Sequence, residues 1–154
     1  MTRSNKKSIS KFKSGLMKEF EMSDLDIITY FLGVEFHKSK RGVLMHQRRY
    51  AIEILKKFDM EHCNVSITPV EPRLQLSKHE EEKNVDPTKY RRLIGSLYYL
   101  CNTRPDLAFS VGIASRFIER LKESHLAAVK RILRYVKGYI GSGIIFPALD
   151  TNIK

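Results

Sequence analysis

From residue 8 onward the apolar side chains Ile9, Phe12, Leu16 and Phe20 recur at spacings of three and four, with lysines between them. That spacing puts them on one face and predicts an amphipathic helix over residues 8–20 with a Lys-rich outer side. Ser23-Asp24 then punctuates the chain. Residues 27–36 are rich in β-branched and aromatic side chains, Ser39-Lys40-Arg41-Gly42 has turn composition, and Val43-Leu44-Met45-His46 reads as a returning strand. Together they predict a β-hairpin with a basic tip. Helical spacing resumes over 47–58, where Tyr50, Ile54 and Phe58 share a line and Lys56-Lys57 suit the helix dipole.

Residues 59–86 lose this periodicity and hold Pro69, Pro72 and the charged run at 78–83. They read as an extended connector. Asp86-Pro87 offers an N-cap followed by a first-turn proline, opening a helix to about residue 101. Arg104-Pro105-Asp106 breaks the chain, and Pro105 begins a helix to about residue 117. Ser124 is placed to cap a further helix with the apolar stripe Leu126, Val129, Leu133 and Val136, ended by Gly138. Residues 144–146 predict a short strand, and a tail follows Pro147. The reading is α+β: a helix and hairpin (1–58), a connector (59–86), a mostly helical region closing on a short strand (87–146), and a tail (147–154).

Composition narrows the partners more than the fold. The 154 residues are 42% hydrophobic, enough for a core, and carry a net charge of +11. Each Lys or Arg set against a phosphate releases condensed counterions, so this charge favours a polyanion, nucleic acid foremost. Charge alone leaves anionic membrane and acidic protein as alternatives. No apolar run approaches the roughly 18 residues of a membrane helix, so no membrane association is read. Cys63 and Cys101 form neither a disulfide framework nor a CxxC site, and His62-Cys63 has no second pair to complete a metal site. They fit a reducing, intracellular, non-secreted setting. The basic, acid-free first 18 residues resemble an organellar transit peptide, with the first helix of the fold as the rival reading.

Several segments, in order, resemble the reverse transcriptase of Ty1/copia-type LTR retrotransposons. They are Met17-Lys18-Glu19-Phe20-Glu21-Met22, Tyr30-Phe31-Leu32-Gly33-Val34-Glu35, Gln47-Arg48-Arg49-Tyr50-Ala51 and Thr68-Pro69. The series continues with Tyr90-Arg91-Arg92-Leu93-Ile94-Gly95-Ser96-Leu97-Tyr98-Tyr99-Leu100, Thr103-Arg104-Pro105-Asp106, Ser115-Arg116-Phe117 and the stretch 127–138. No single piece is decisive, but the ordered set is specific and covers roughly residues 5–146.

The resemblance implies the end of a polymerase palm, a thumb and the start of the connection to a ribonuclease H domain. Family polymerases hold two Mg²⁺ ions on a Tyr-x-Asp-Asp hairpin and an earlier Asp. This sequence has no Tyr-x-Asp-Asp, and the resemblance places Met1 just downstream of that hairpin. Asp24 and Asp26 are the nearest carboxylate pair, but they read as a helix-ending turn. Gly143-Ile144-Ile145-Phe146 is similar to the strand that opens the ribonuclease H domain, yet Asp150 does not match the catalytic Asp expected to follow. No catalytic residue, metal site or cofactor is therefore read for this chain, Mg²⁺ belonging to the full-length family enzyme.

The hairpin at Leu32-Gly33 looks like the primer grip of related polymerases, where backbone holds the primer's terminal phosphate. A glycine without Cβ suits close approach, and a bulge glycine is the bland alternative. The helix at 86–101 looks like the thumb helix that follows the duplex minor groove. Arg91, Gly95 and Tyr99 share one of its faces, with Leu93, Leu97 and Leu100 opposite. A groove contact or a close helix–helix crossing would each explain a mid-helix Gly. Lys130, Arg131, Arg134 and Lys137 form either a phosphate-contacting strip or a solvated face.

The expected function is therefore a truncated copia-type reverse transcriptase piece, not an enzyme alone. It would bind RNA/DNA duplex without sequence preference, with the remaining polymerase portions of a parent polyprotein as a further partner. The alternative is a translated retroelement remnant with no selected function and poor stability, its hairpin lacking the rest of a palm sheet.

Overall fold

The computed structural model describes residues 6–21, 28–71, 85–118 and 121–148. The Asp24/Asp26 pair, the charged run at 78–83 and the tail with Asp150 lie outside them. Five helices and a four-stranded antiparallel sheet make an α+β fold among these residues. Helix α1 is Lys6–Glu19; strands β1 (Tyr30–Phe31), β2 (Val34–Ser39) and β3 (Gly42–His46) follow. Then come α2 (Arg48–Lys57), α3 (Pro87–Leu100), a 3₁₀ turn Pro105–Leu107, α4 (Ala108–Ser115), α5 (Glu123–Gly138) and β4 (Gly143–Pro147).

Residues 30–35, within the stretch rich in strand-forming side chains, fold back on themselves as the hairpin that the resemblance implied. Tyr30 pairs with Glu35 and Phe31 with Val34, so Leu32 and Gly33 form a two-residue turn. Both have positive φ, +46° and +79°, as the I′ turn that matches strand twist requires. Gly33 is thus a turn residue, not a bulge. A leucine at the first turn position gives no sequence signal for the reversal.

Strand order follows chain order, β1-β2-β3-β4. β4 runs against β3 from Gly42↔Pro147 to His46↔Gly143, joining the last element of the described chain to the hairpin. Gly42 permits this approach: at φ +137° a Cβ there would lie 2.0 Å from the Phe146 carbonyl oxygen. By the register, Phe31, Val34, Phe36, Val43, Met45, Ile144 and Phe146 share one sheet face.

The core lies among the helices. Ile54 and Leu55 of α2 are buried with Leu93, Leu97 and Leu100 of α3, Val111 of α4, and Val129, Leu133 and Val136 of α5. The leucine face of α3 and the α5 stripe are as expected, with Leu126 half-buried at the stripe's edge. Asp86 caps α3 through Thr88 N (2.8 Å) with Pro87 in the first turn. α5 begins slightly earlier than Ser124 suggested: Lys122 is its N-cap, and its N–H donates to His125 Nδ1 (3.0 Å). α2 ends in a Schellman motif. Met60 N–H reaches Leu55 O (2.8 Å) and Asp59 N–H reaches Lys56 O (3.1 Å). Asp59 takes the left-handed position, φ +57°, that glycine usually fills.

Buried polar groups lock the helices together. Gln47, 2% exposed, sits just before α2. With its amide nitrogen turned to acceptors it donates to Thr103 Oγ1 (2.9 Å), Leu100 O (3.2 Å) and Tyr99 O (3.3 Å). Carbonyls at the C-terminal end of α3, which already accept from Asn102, Thr103 and Arg104 N–H in the following turn, gain a further donor this way. Arg104, 3% exposed, makes a bidentate pair with Asp106 (2.9 and 2.7 Å), donates to Tyr139 O (2.8 Å) and lies over the Tyr135 ring. The Arg-Pro-Asp break is a clamp between the 3₁₀ turn and the end of α5.

Candidate nucleic-acid interface

The candidate residues of the hairpin and of α3 meet at Tyr99. Its hydroxyl donates to the Leu32 carbonyl oxygen in the turn. A Cβ on Gly33 would lie 3.2 Å from that hydroxyl, so glycine lets the turn sit against the ring. Tyr99 is held from behind by Tyr50 of α2, edge to face, with centroids 4.8 Å apart and planes at 82°. Tyr50 donates in turn to Ser96 O (3.4 Å). Burial is the main influence on the Tyr50 hydroxyl and raises its pKa, against the Ser96 bond. Tyr50 was legible only as a core position; its role in seating Tyr99 was not.

The base of the turn is tied to α2 as well. The Glu35 carboxylate accepts from Arg49 N–H (2.9 Å) in the first turn of that helix and pairs with the Arg49 guanidinium (3.5 Å). An anion at a helix N-terminus is favourably placed. The guanidinium also lies 5.6 Å from the Tyr30 ring centroid. Strand, helix and turn are therefore fixed relative to α3 by short contacts.

Along the outer face of α3, Arg91 is exposed and forms no ion pair among the described residues. Gly95 is exposed, and a Cβ there would meet nothing within 4 Å. A close helix–helix crossing therefore does not account for this glycine. Its cost of about 1 kcal/mol relative to Ala is not offset by any packing inside the described chain. Turn and helix face form one surface, with Leu32 at 72% exposure at its tip.

The basic side of α5 is placed differently. Arg131 Nη2 donates to Thr68 Oγ1 (3.0 Å), Arg134 Nε to Asn64 O (2.7 Å), and Lys137 Nζ to Cys63 O (2.6 Å). These three hold the segment after α2 against α5, and Ser66 N–H completes the seam at Arg134 O (3.2 Å). Lys130 stands apart. It is exposed and lines a cavity with Lys89 and Arg92 of α3.

Among the described residues no three His, Cys, Asp or Glu side chains come together as a metal site. Nor is any described helix long and apolar enough to cross a membrane.

Residues 1–72 match the family model described as reverse transcriptase (RNA-dependent DNA polymerase). The chain is 40% identical over 136 residues to the retrovirus-related Pol polyprotein from transposon RE1 of Arabidopsis thaliana, covering 88% of this chain and 9% of that protein. It is 36% identical over 155 residues to the Pol polyprotein from transposon TNT 1-94 of Nicotiana tabacum, covering 95% and 12%. An uncharacterised mitochondrial protein of Arabidopsis thaliana is 37% identical, with 84% of this chain and 53% of that protein aligned. The chain thus spans about a tenth of the Pol polyproteins and about half of the mitochondrial protein. No solved structure gives a significant match. With the ordered motifs, the matched residues 1–72 and the alignment to copia-type Pol polyproteins over most of its length, the chain is similar to the reverse transcriptase portion of retrovirus-related transposon polyproteins.

Proposed function

We propose that this chain holds a template–primer duplex, without sequence preference, and performs no polymerisation by itself. The Leu32–Gly33 turn takes the part of a grip on the primer end, and the Arg91-Gly95-Tyr99 face lies along the minor groove. The observation that carries the reading is Gly95: an exposed mid-helix glycine with open space above it, on the face to which Tyr99 pins the turn. A sugar–phosphate surface approaching α3 would use that space. Arg91 supplies hydrogen bonds to phosphate or groove, and the net charge of +11 supplies the long-range attraction. Arg131, Arg134 and Lys137 support the segment they bind, with Lys130 left free to meet a phosphate. The polymerase carboxylates and their Mg²⁺ would come from other portions of a parent polyprotein.

Duplex titrations across salt concentrations test this. If six phosphates are neutralised, log K falls with log[salt] at a slope of about −5. Binding should be indifferent to chelator, and no primer should be extended with Mg²⁺. Gly95→Leu separates binding from folding. It should stabilise α3 by up to about 1 kcal/mol, because no neighbour is displaced, yet weaken duplex binding at least tenfold. Duplex affinity unchanged by Gly95→Leu and by Arg91→Ala would overturn the reading.

A second reading, a translated retroelement remnant without selected function, is favoured by one observation. Every described side chain of α1 is exposed or half-exposed, including Phe12 at 68% and Phe20, just past its end, at 58%. Broad melting and aggregation on size exclusion would support it, and a cooperative monomeric transition would count against it.

A further inference from the structure

A cavity of about 410 Å³ opens where the end of α2 meets the first turns of α3 and the middle of α5. It lies within the size range of small-molecule sites. Its floor is apolar: Phe58, Met60, Leu93, Leu126 and Leu133, all buried or half-buried. Its rim is charged and exposed: Lys57, Lys89, Arg92 and Lys130 against Asp59 and Asp86. Four cations and two anions leave a surplus of +2 at the mouth. Asp86, which caps α3 through Thr88 N, keeps its charge and also feels Lys89 and Arg92 electrostatically, so it is already counted in that surplus. Lys89, Arg92 and Lys130 form no ion pair within 4 Å among the described residues. The Lys57 ammonium stands 5.8 Å from the centroid of the Phe58 ring in the floor.

An apolar floor beneath a surplus of cations selects for a ligand with both characters. A purely apolar molecule would leave the cations idle, and a bare anion would gain nothing from the floor. The double surplus fits a phosphate monoester, which carries close to two negative charges at neutral pH. We infer that this cavity binds a small organic phosphate, an aromatic or aliphatic body seated on Phe58, Leu93, Leu126 and Leu133 with its phosphate between Lys89, Arg92 and Lys130. The site is separate from the turn and the Gly95 face and shares only Lys130 with the proposed duplex surface, so it is tested with no duplex present.

The test uses the 154-residue chain and 1-naphthyl phosphate at pH 7.5, followed by two-dimensional amide NMR. Saturable binding with a Kd below about 1 mM is expected, with shifts centred on residues 57–60, 89–93, 126 and 130. 1-Naphthoate should bind more weakly, and neutral 1-naphthalenemethanol and inorganic phosphate at least about tenfold more weakly. The double variant R92E/K130E changes only exposed side chains and should cost about tenfold, whereas K38E, outside the cavity lining, should cost less than about twofold. D59N removes an acid from the rim and should tighten binding by about twofold. Equal affinity for phosphate, carboxylate and alcohol would overturn the inference, because the rim would then be inert. So would inorganic phosphate binding as tightly as the ester, shifts centred on the exposed sheet face, or no saturation at several millimolar.

Discussion

Leu32 holds a conformation that its side chain opposes. A γ-branched residue at φ +46° brings Cβ against the neighbouring carbonyl, at a cost of roughly 1–2 kcal/mol that asparagine or glycine largely avoids. The Tyr99 hydroxyl bond to the Leu32 carbonyl helps to hold that conformation. Leu32→Asn should therefore raise stability by about 1 kcal/mol, seen as a higher melting temperature, while removing the exposed apolar tip from the proposed grip. A melting temperature that fell would mean that Leu32 makes a contact which outweighs its strain. Tyr90 presents a different single-residue case. It is 1% exposed, donates to Ala114 O (2.8 Å), and burial pushes its hydroxyl up to about 12. A raised value means that the unfolded chain loses this proton first. The Tyr90 contribution is whole below pH 10 and drains away as pH rises toward 12. Tyr90→Phe should lose about 1 kcal/mol at neutral pH and fall off less steeply between pH 10 and 12 in alkaline denaturation. Parallel alkaline curves for the two proteins would contradict that assignment.

At the scale of elements, the Arg104–Asp106 clamp joins the 3₁₀ turn to the end of α5. Burial alone would raise the Asp106 carboxyl, but the two Arg104 bonds and the guanidinium charge outweigh it and hold the group below the ordinary carboxylate range. A lowered value gives stability that is present above the unfolded pKa near 3.9 and is lost as pH falls through the folded one. Asp106→Asn should cost about 2 kcal/mol at pH 7, and the difference from the parent should shrink below pH 4 in acid unfolding. A constant difference down to pH 2 would rule the pair out as its source. The sequence displayed this triplet only as a chain break, because the acceptor Tyr139 O lies a helix away. The same limit runs through the rest of the fold. Helices with a 3.6-residue pattern and a cap, such as α3 with Asp86-Pro87, were legible to within a residue or two. The reversal at Leu32-Gly33 was implied by the resemblance to a primer-grip hairpin but not by residue pattern, since leucine carries no turn signal. Nor could periodicity show that Arg131, Arg134 and Lys137 spend donors on Thr68, Asn64 and Cys63. A basic helical face looks alike whether it meets water, phosphate or its own chain. Of the candidate site, the Arg91-Gly95-Tyr99 face was readable from spacing, but its junction with the turn depends on Tyr99 reaching across 67 positions of sequence.

Among the described residues the molecule has a closed helical core and two open apolar surfaces. The core draws on α2, α3, α4 and α5 and takes no described side chain from α1. Ile9, Phe12, Met17 and the adjoining Phe20 are each more than 40% exposed, and Phe31 and Phe146 on the sheet are more than 50% exposed. An apolar stripe of this kind drives association when its own fold does not cover it. At the same time the net charge of +11 opposes association at low salt. The two tendencies have opposite salt dependence: added salt screens the repulsion and leaves the apolar attraction intact or stronger. The chain should therefore be monomeric in dilute buffer and self-associate as ionic strength rises, which light scattering over a salt series would follow. Phe12→Glu together with Phe20→Glu should suppress that association. Because no described side chain of α1 enters the core, the pair should leave the melting temperature of the helical part within about 2 °C of the parent. A drop of 5 °C or more would show that α1 packs onto the fold in solution, and association unchanged by the pair would transfer its cause to the sheet face around Phe31 and Phe146.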